Sequence, residues 1–345
     1  MHIGARRVFR LSSSIALSLA AAYALNMSMA YMAPLFAFIL GAAPKAPLTP
    51  KALAGVLVAI TVLLGVGLLL IPTLLYYPAA GLVMVLMGMF LANYISLNLG
   101  KGPVGTVLLV GVAMITMVGQ LGYGIAQLLM LEMLLSIALA VVCQWLVYPL
   151  FPEDPGPPLE MPKPEPEQST WLAARATLIV FPAYLLGLTN PTFYTPLILK
   201  SVALGSQASE ADLRGARVEL LSSTFLAGVM AILFWFCLKL APNLWMFTLW
   251  TLAFSLFITA KLYGVLPTKH APTFWQNVMI TLLILVGPAV ADSANGKDPY
   301  MAFAVRMSLF ISVTIYASFA IEFLEWLKQR QLRRRQVARR QMEAT

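Results

Sequence analysis

Long apolar runs alternate along the chain with short breaks of proline, glycine and charge, and within each run apolar residues are continuous rather than alternating. Strands of a membrane barrel would alternate between lipid and lumen with a period of two, so this pattern predicts helices. The charge-free gaps are long: no Lys, Arg, Asp or Glu falls between Arg10 and Lys45, between Lys51 and Lys101, or between Lys101 and Glu132. Punctuation by Pro, Gly and charge places twelve membrane segments at roughly 11–25, 29–43, 52–76, 77–99, 103–119, 121–150, 171–188, 192–205, 218–241, 244–265, 274–291 and 299–325. The segments at 29–43 and 192–205 fall short of the ~20 residues that cross about 30 Å of hydrocarbon. They are expected to be tilted pieces, half-helices or a re-entrant pair, leaving ten full crossings if both are re-entrant.

Composition agrees. Of 345 residues, 60% are hydrophobic and 11% charged, and the mean hydropathy is +0.83, which leaves too little polar surface to cover a water-soluble globule. The expected fold class is an all-α integral membrane protein; a soluble enzyme or a DNA-binding domain is excluded as the whole answer.

The net charge of +9 reads as topology rather than as affinity for nucleic acid. With both termini in the cytoplasm, Arg6, Arg7, Arg10, Lys45, Lys51, Lys101, Lys163, Arg214, Arg217, Lys261, Lys269 and the seven cations from Lys328 to Arg340 all fall inside. Lys297 lies in an outer loop and Lys239 near an outer helix end, so the positive-inside rule fixes the expected orientation in a bacterial-type inner membrane. The stretch after Arg10 is expected to be a retained first span rather than a cleaved leader, because many hydrophobic segments follow it.

Four regions follow. Residues 1–150 form a first membrane half, and residues 151–169, with seven prolines and four net negative charges, form an extended, solvated cytoplasmic linker. Residues 170–327 form a second membrane half, and residues 328–345 a basic cytoplasmic tail suited to anionic lipid. Displacing the halves by about 163 residues superimposes Tyr31 on Tyr194, Lys51 on Arg214 and Gly65 on Gly228, as two parallel six-segment repeats would. Chance similarity between apolar stretches is the alternative.

Within this frame a basic N-terminal edge, a helix ending near Asn26, the Tyr31 to Pro34 stretch and a basic residue entering a Gly-containing helix occur in order. The second copy runs from Arg214-Gly215-Ala216-Arg217 to Gly228. This order resembles the fusaric acid resistance and aromatic acid exporter superfamily, in a compact, membrane-only branch that lacks the large soluble portions of its longer members. The resemblance implies export of aromatic or other organic anions, often beside a periplasmic adaptor of the membrane-fusion type.

Ionisable groups inside spans usually face a cavity or pair with one another. Glu132, mid-segment among Leu and Met, is a candidate proton-exchanging carboxylate, and Glu219 and Asp292 are further candidates for proton coupling; a packing hydrogen bond or an ion pair is the other reading of Glu132. Lys200, in the short segment after Pro196, is placed either to meet an anionic substrate from a broken helix or to snorkel to the headgroups. Arg214 and Arg217 share a helix face and suit an inner basic entrance, or simple anchoring at the membrane surface. Arg306, two turns beyond an outer loop taken to hold Asp292, Lys297 and Asp298, suggests a gate or a solvated loop. Asn277 and the other uncharged polar residues read as glue between helices.

Cys143 and Cys237 sit in apolar runs without a CxxC or a His cluster, and the methionines are irregularly spaced, so neither metal nor cofactor is expected. No GxxxxGK[ST] loop is present, and no DxxxD or HExxH arrangement suggests an enzyme. The expectation is a proton-coupled exporter of organic anions in contact with the lipid bilayer, with a possible adaptor and possible homo-oligomer. Its rivals are a non-transporting scaffold subunit and, less favoured, a membrane-embedded lipid-modifying enzyme.

Overall fold

A computed structural model describes residues 2–98, 102–154, 166–210, 216–294 and 298–343. Among them every regular element is helical. The helices of the first half are α1 (Ile3–Ala24), α2 (Met32–Gly41), α3 (Pro50–Tyr76), α4 (Pro78–Asn98), α5 and α6 (Tyr123–Val147). Helix α5 runs over Gly102–Val110 and continues through a π turn at Gly111–Ile115 to Thr116–Val118. The second half holds α7 (Pro166–Thr189), α8 (Pro191–Glu210), α9 (Ala216–Leu240), α10 (Leu244–Leu262), α11 (Pro272–Ala294) and α12 (Pro299–Glu343). Eight of these, α3, α4, α6, α7, α9, α10, α11 and α12, are long and apolar enough to cross a membrane.

Local chemistry sets the ends. Thr49 accepts from the Ala52 backbone N–H, with Pro50 opening α3; Asn243 accepts from the Met246 N–H at the start of α10. Both are ordinary N-caps, each answering one otherwise unpaired helix-end donor. Helix α2 has only 10 residues, about 15 Å at 1.5 Å per residue, too short to span. The second short segment differs from expectation. Helix α8 runs unbroken through Pro196 for 20 residues, because the polar stretch after Leu204 continues the helix instead of ending it. Helix α12 is one helix of 45 residues from Pro299 to Glu343, so the basic stretch after the apolar part at Phe303–Lys328 continues the same helix on strong helix formers such as Arg, Gln and Glu.

The main core is an apolar cluster drawn from all twelve helices, with a small second cluster of Ala22, Ala30 and Ala33 beside the loop between α1 and α2. Small residues let the backbones approach: a Cβ on Gly67 would lie 2.9 Å from the Gly111 oxygen, and one on Gly287 would lie 2.1 Å from the Cβ of Tyr31, which brings α2 against α11. The helices of the two halves interleave. Helix α1 packs along α10, and α4 packs along α7. A buried polar bond lies in each contact, Ser12 Oγ to Thr259 Oγ1 at 2.8 Å in the first and Asn93 Nδ2 to Thr177 Oγ1 at 3.0 Å in the second.

At the N-terminal edge the start of the linker is tied down. Glu153 accepts from Arg7 and from Arg10, the latter at 2.7 Å, Asp154 accepts from Arg6 at 2.6 Å, and Phe9 stacks on Phe151. Burial pushes the Glu153 carboxyl up, but hydrogen bonds and charge from Arg7 and Arg10 outweigh it and hold the group below its ordinary range. Across the second half Glu325 of α12 accepts from Arg175 at 3.5 Å and from the Trp171 indole at 3.3 Å, both on α7.

Candidate functional site

Helix α8 lies against α7, α11 and α12, and Lys200, midway along it, is 0% exposed. Its Nζ donates to Asn277 Oδ1 and to Thr281 Oγ1, each at 2.7 Å. Both acceptors are on α11, one turn apart, so they lie on the same face. Asn277 in turn donates through Nδ2 to Ser223 Oγ of α9 at 2.5 Å, and Thr224 Oγ1 lies 3.4 Å from Thr314 Oγ1 of α12. Ser223 and Thr224 close the network by donating to the Leu220 carbonyl. These links also orient the amide, since its oxygen faces the ammonium and its nitrogen faces hydroxyls.

The seam continues toward one end of the bundle. Glu219 is one turn before Ser223 on α9, Thr273 is one turn before Asn277 on α11, and the Thr273 hydroxyl donates to Glu219 Oε1 at 2.5 Å. A ladder of polar rungs, Glu219 with Thr273, Ser223 with Asn277, then Lys200 with Thr281, therefore leads from a helix end to a buried cation. Every partner of Lys200 among the described residues is neutral. A buried ammonium without a counter-ion is costly, and either an arriving anion or departure of its proton would relieve it.

Complete burial overturns the snorkelling reading of Lys200. The other candidates lie elsewhere. Glu132 accepts from the Ser28 N–H at 3.0 Å and the Met29 N–H at 3.4 Å, answering two donors of the loop between α1 and α2. Asp292 is in α11 rather than in an outer loop, and its carboxylate pairs with Arg306 of α12, each side chain about 15% exposed. Arg306 Nη1 is buried with no hydrogen-bond partner among the described residues. Arg214 and Lys297 lie outside the described residues, and so does the side chain of Arg217. The fold therefore unites Lys200 and Glu219 along one seam while Glu132 and the Asp292–Arg306 pair remain apart from it.

Sequence reasoning missed Ser223, Thr224, Thr273 and Thr281, and took Asn277 for simple glue. The spacing Thr273, Asn277, Thr281, one polar residue per turn in an otherwise apolar helix, was the available signal. At positions displaced by 163, Ser223, Asn277 and Thr281 correspond to Ile60, Met114 and Val118, so the seam belongs to the second half alone.

Residues 7–147 match the model of a family described as a protein of unknown function (DUF2955). The matched region begins in α1 and ends with α6, and so covers the first six helices. No curated protein matches the chain, and no solved structure matches it.

Proposed function

We propose that this chain is an inner-membrane exporter of aromatic or other organic anions, proton-coupled and working with a periplasmic membrane-fusion adaptor. The observation that carries this reading is Lys200, an ammonium at 0% exposure held by the neutral oxygens of Asn277 and Thr281. A purely structural cation at that depth would ordinarily be given a carboxylate, whereas one held by dipoles keeps its charge open to a passing carboxylate. Glu219 at the end of the ladder supplies the exchangeable proton, and both termini face the cytoplasm, which puts the Glu219 end on the loading side.

The architecture proposed with it is two parallel six-helix repeats, of ten or twelve crossings in all. Supporting this, α1 meets the fourth helix of the second half just as α7 meets the fourth helix of the first. The fusaric acid resistance resemblance is part of the same proposal, and so is assembly into a homo-oligomer.

The deciding experiment is accumulation of radiolabelled aromatic carboxylates by cells with and without the protein, with a candidate adaptor co-expressed. The expected result is lower accumulation in expressing cells, restored by a protonophore and by Lys200→Met. Equal accumulation with the protein correctly inserted, across the whole panel, would sink the reading in favour of a scaffold subunit.

A further inference from the structure

A cleft of about 550 Å³ opens where four helix ends meet: the ends of α1, α9 and α11 and the start of α10. Three of its lining residues sit at those ends, Lys239, Asn243 and Ser293. One helical turn deeper, about 4.5–6 Å along each axis, lie Trp235, Phe247 and Val290. The cleft therefore has a polar, cationic mouth and an apolar throat. Lys239 is exposed, with its Nζ 4.4 Å from the centre of the Tyr300 ring. Trp235 has a buried indole N–H with no acceptor among the described residues. Asn243 directs its carbonyl oxygen to the Met246 N–H, leaving its NH₂ group as a donor. Leu240 and Trp245 beside the mouth are each 82% exposed, as residues facing lipid at a headgroup boundary would be.

The corresponding helix ends of the other half form a smaller cleft of about 230 Å³, lined by Leu74, Leu75, Pro78, Leu82, Gln120 and Leu188. It has the apolar walls but no cation and no indole. The tiered chemistry is thus a property of the Lys239 cleft and not of helix ends in general.

We propose that the Lys239 cleft binds one anionic glycerophospholipid. Its phosphate meets Lys239 and the Asn243 amide, and the start of one acyl chain lies on Trp235, Phe247 and Val290. The order of groups with depth decides for a lipid over a soluble anion: a cation and an amide donor at the helix ends, then apolar walls a turn deeper. The inference is independent of the transport reading and uses neither Lys200 nor Glu219.

The test is quenching of tryptophan fluorescence by brominated lipids in the full-length protein, with the Trp235 component obtained by difference from Trp235→Phe. Brominated phosphatidylglycerol is expected to quench that component about five-fold more effectively than brominated phosphatidylcholine, the order expected of one lysine near an anionic headgroup. Lys239→Gln, at an exposed position that leaves the fold intact, is expected to abolish the headgroup preference. Equal quenching by the two lipids, or a preference that persists in Lys239→Gln, would overturn the proposal. Displacement of the brominated lipid from Trp235 by a soluble aromatic carboxylate would overturn it too, and reassign the cleft to a solute. None of these readings changes if the protein transports nothing.

Discussion

Lys200 and Asn277 meet across α8 and α11 with the ammonium nitrogen 2.7 Å from the amide oxygen, both side chains closed off from solvent. The amide is fixed in turn by Ser223 at 2.5 Å. Three helices thus hold one positive charge without using a negative one among the described residues. Lys200→Met, which keeps the length of the side chain and removes the charge, is expected to abolish export while changing stability by no more than about 2 kcal/mol, because removal of a buried charge offsets the lost hydrogen bonds. Asn277→Ala is expected to destabilise by about 2–3 kcal/mol by stripping the ammonium of an acceptor. Asn277→Asp, which gives Lys200 a permanent counter-ion, is expected to fold and to stop transport. Thermal unfolding in detergent and an accumulation assay separate the three outcomes.

Glu132 braces a loop. Since its two oxygens accept from the Ser28 and Met29 backbone, Glu132→Gln retains one good acceptor and is expected to preserve most activity. Glu132→Ala is expected to destabilise by about 1–2 kcal/mol and to raise amide exchange selectively in the loop between α1 and α2. Loss of proton-coupled export in Glu132→Gln with unchanged amide exchange would instead make it a proton carrier.

The Glu153 latch predicts an acid response. Arg7 and Arg10 hold this carboxyl below its ordinary value, so its folded form binds a proton less readily than its unfolded form. Its contribution to stability is complete above the unfolded value of about 4.3 and is lost as pH falls through the lower folded value. Melting temperature measured from pH 7 down to pH 3 is expected to fall more steeply at the acid end for the unmodified protein than for Glu153→Gln, which already lacks the charge. Parallel curves for the two would refute the latch.

Gly287 is a steric keystone between α2 and α11. A Cβ there would come within 2.1 Å of the Tyr31 Cβ, and a Cβ cannot swing aside as the tip of a long side chain can. Gly287→Val is expected to cost about 1–3 kcal/mol and to force the helices apart, whereas Gly55→Val, at a position where nothing lies within 4 Å, is expected to change stability by less than about 0.5 kcal/mol. Comparing the two melting temperatures checks the packing directly.

Much of the helical layout was legible before any coordinates. Segments expected at 52–76 and 244–265 appear as Pro50–Tyr76 and Leu244–Leu262, because apolar runs ended by proline, asparagine or glycine leave little choice of boundary. Two helices run further than the apolar runs that announced them, α8 to Glu210 and α12 to Glu343, since polar residues can continue a helix beyond an apolar segment. Lys200 stood out as an intramembrane charge, but its environment did not. Serine and threonine are common within spans, and only the packing of α8, α9, α11 and α12 shows which of them converge. Glu132 was placed correctly on its helix, yet its partners lie more than 100 residues away, in a loop whose position depends on tertiary folding.

The interleaving of α1 with α10 and of α4 with α7 has a consequence for biosynthesis. Asn93 leaves the ribosome 84 residues ahead of Thr177, and Ser12 leaves 247 residues ahead of Thr259. Until those later helices arrive, the polar faces of α1 and α4 have only lipid, water or a neighbouring chain against them. The first six helices are therefore an unfinished surface waiting for its complement. A chain halted after the linker presents that surface to the insertion machinery and its proteases, and two fragments divided there must find each other in the bilayer before either is whole.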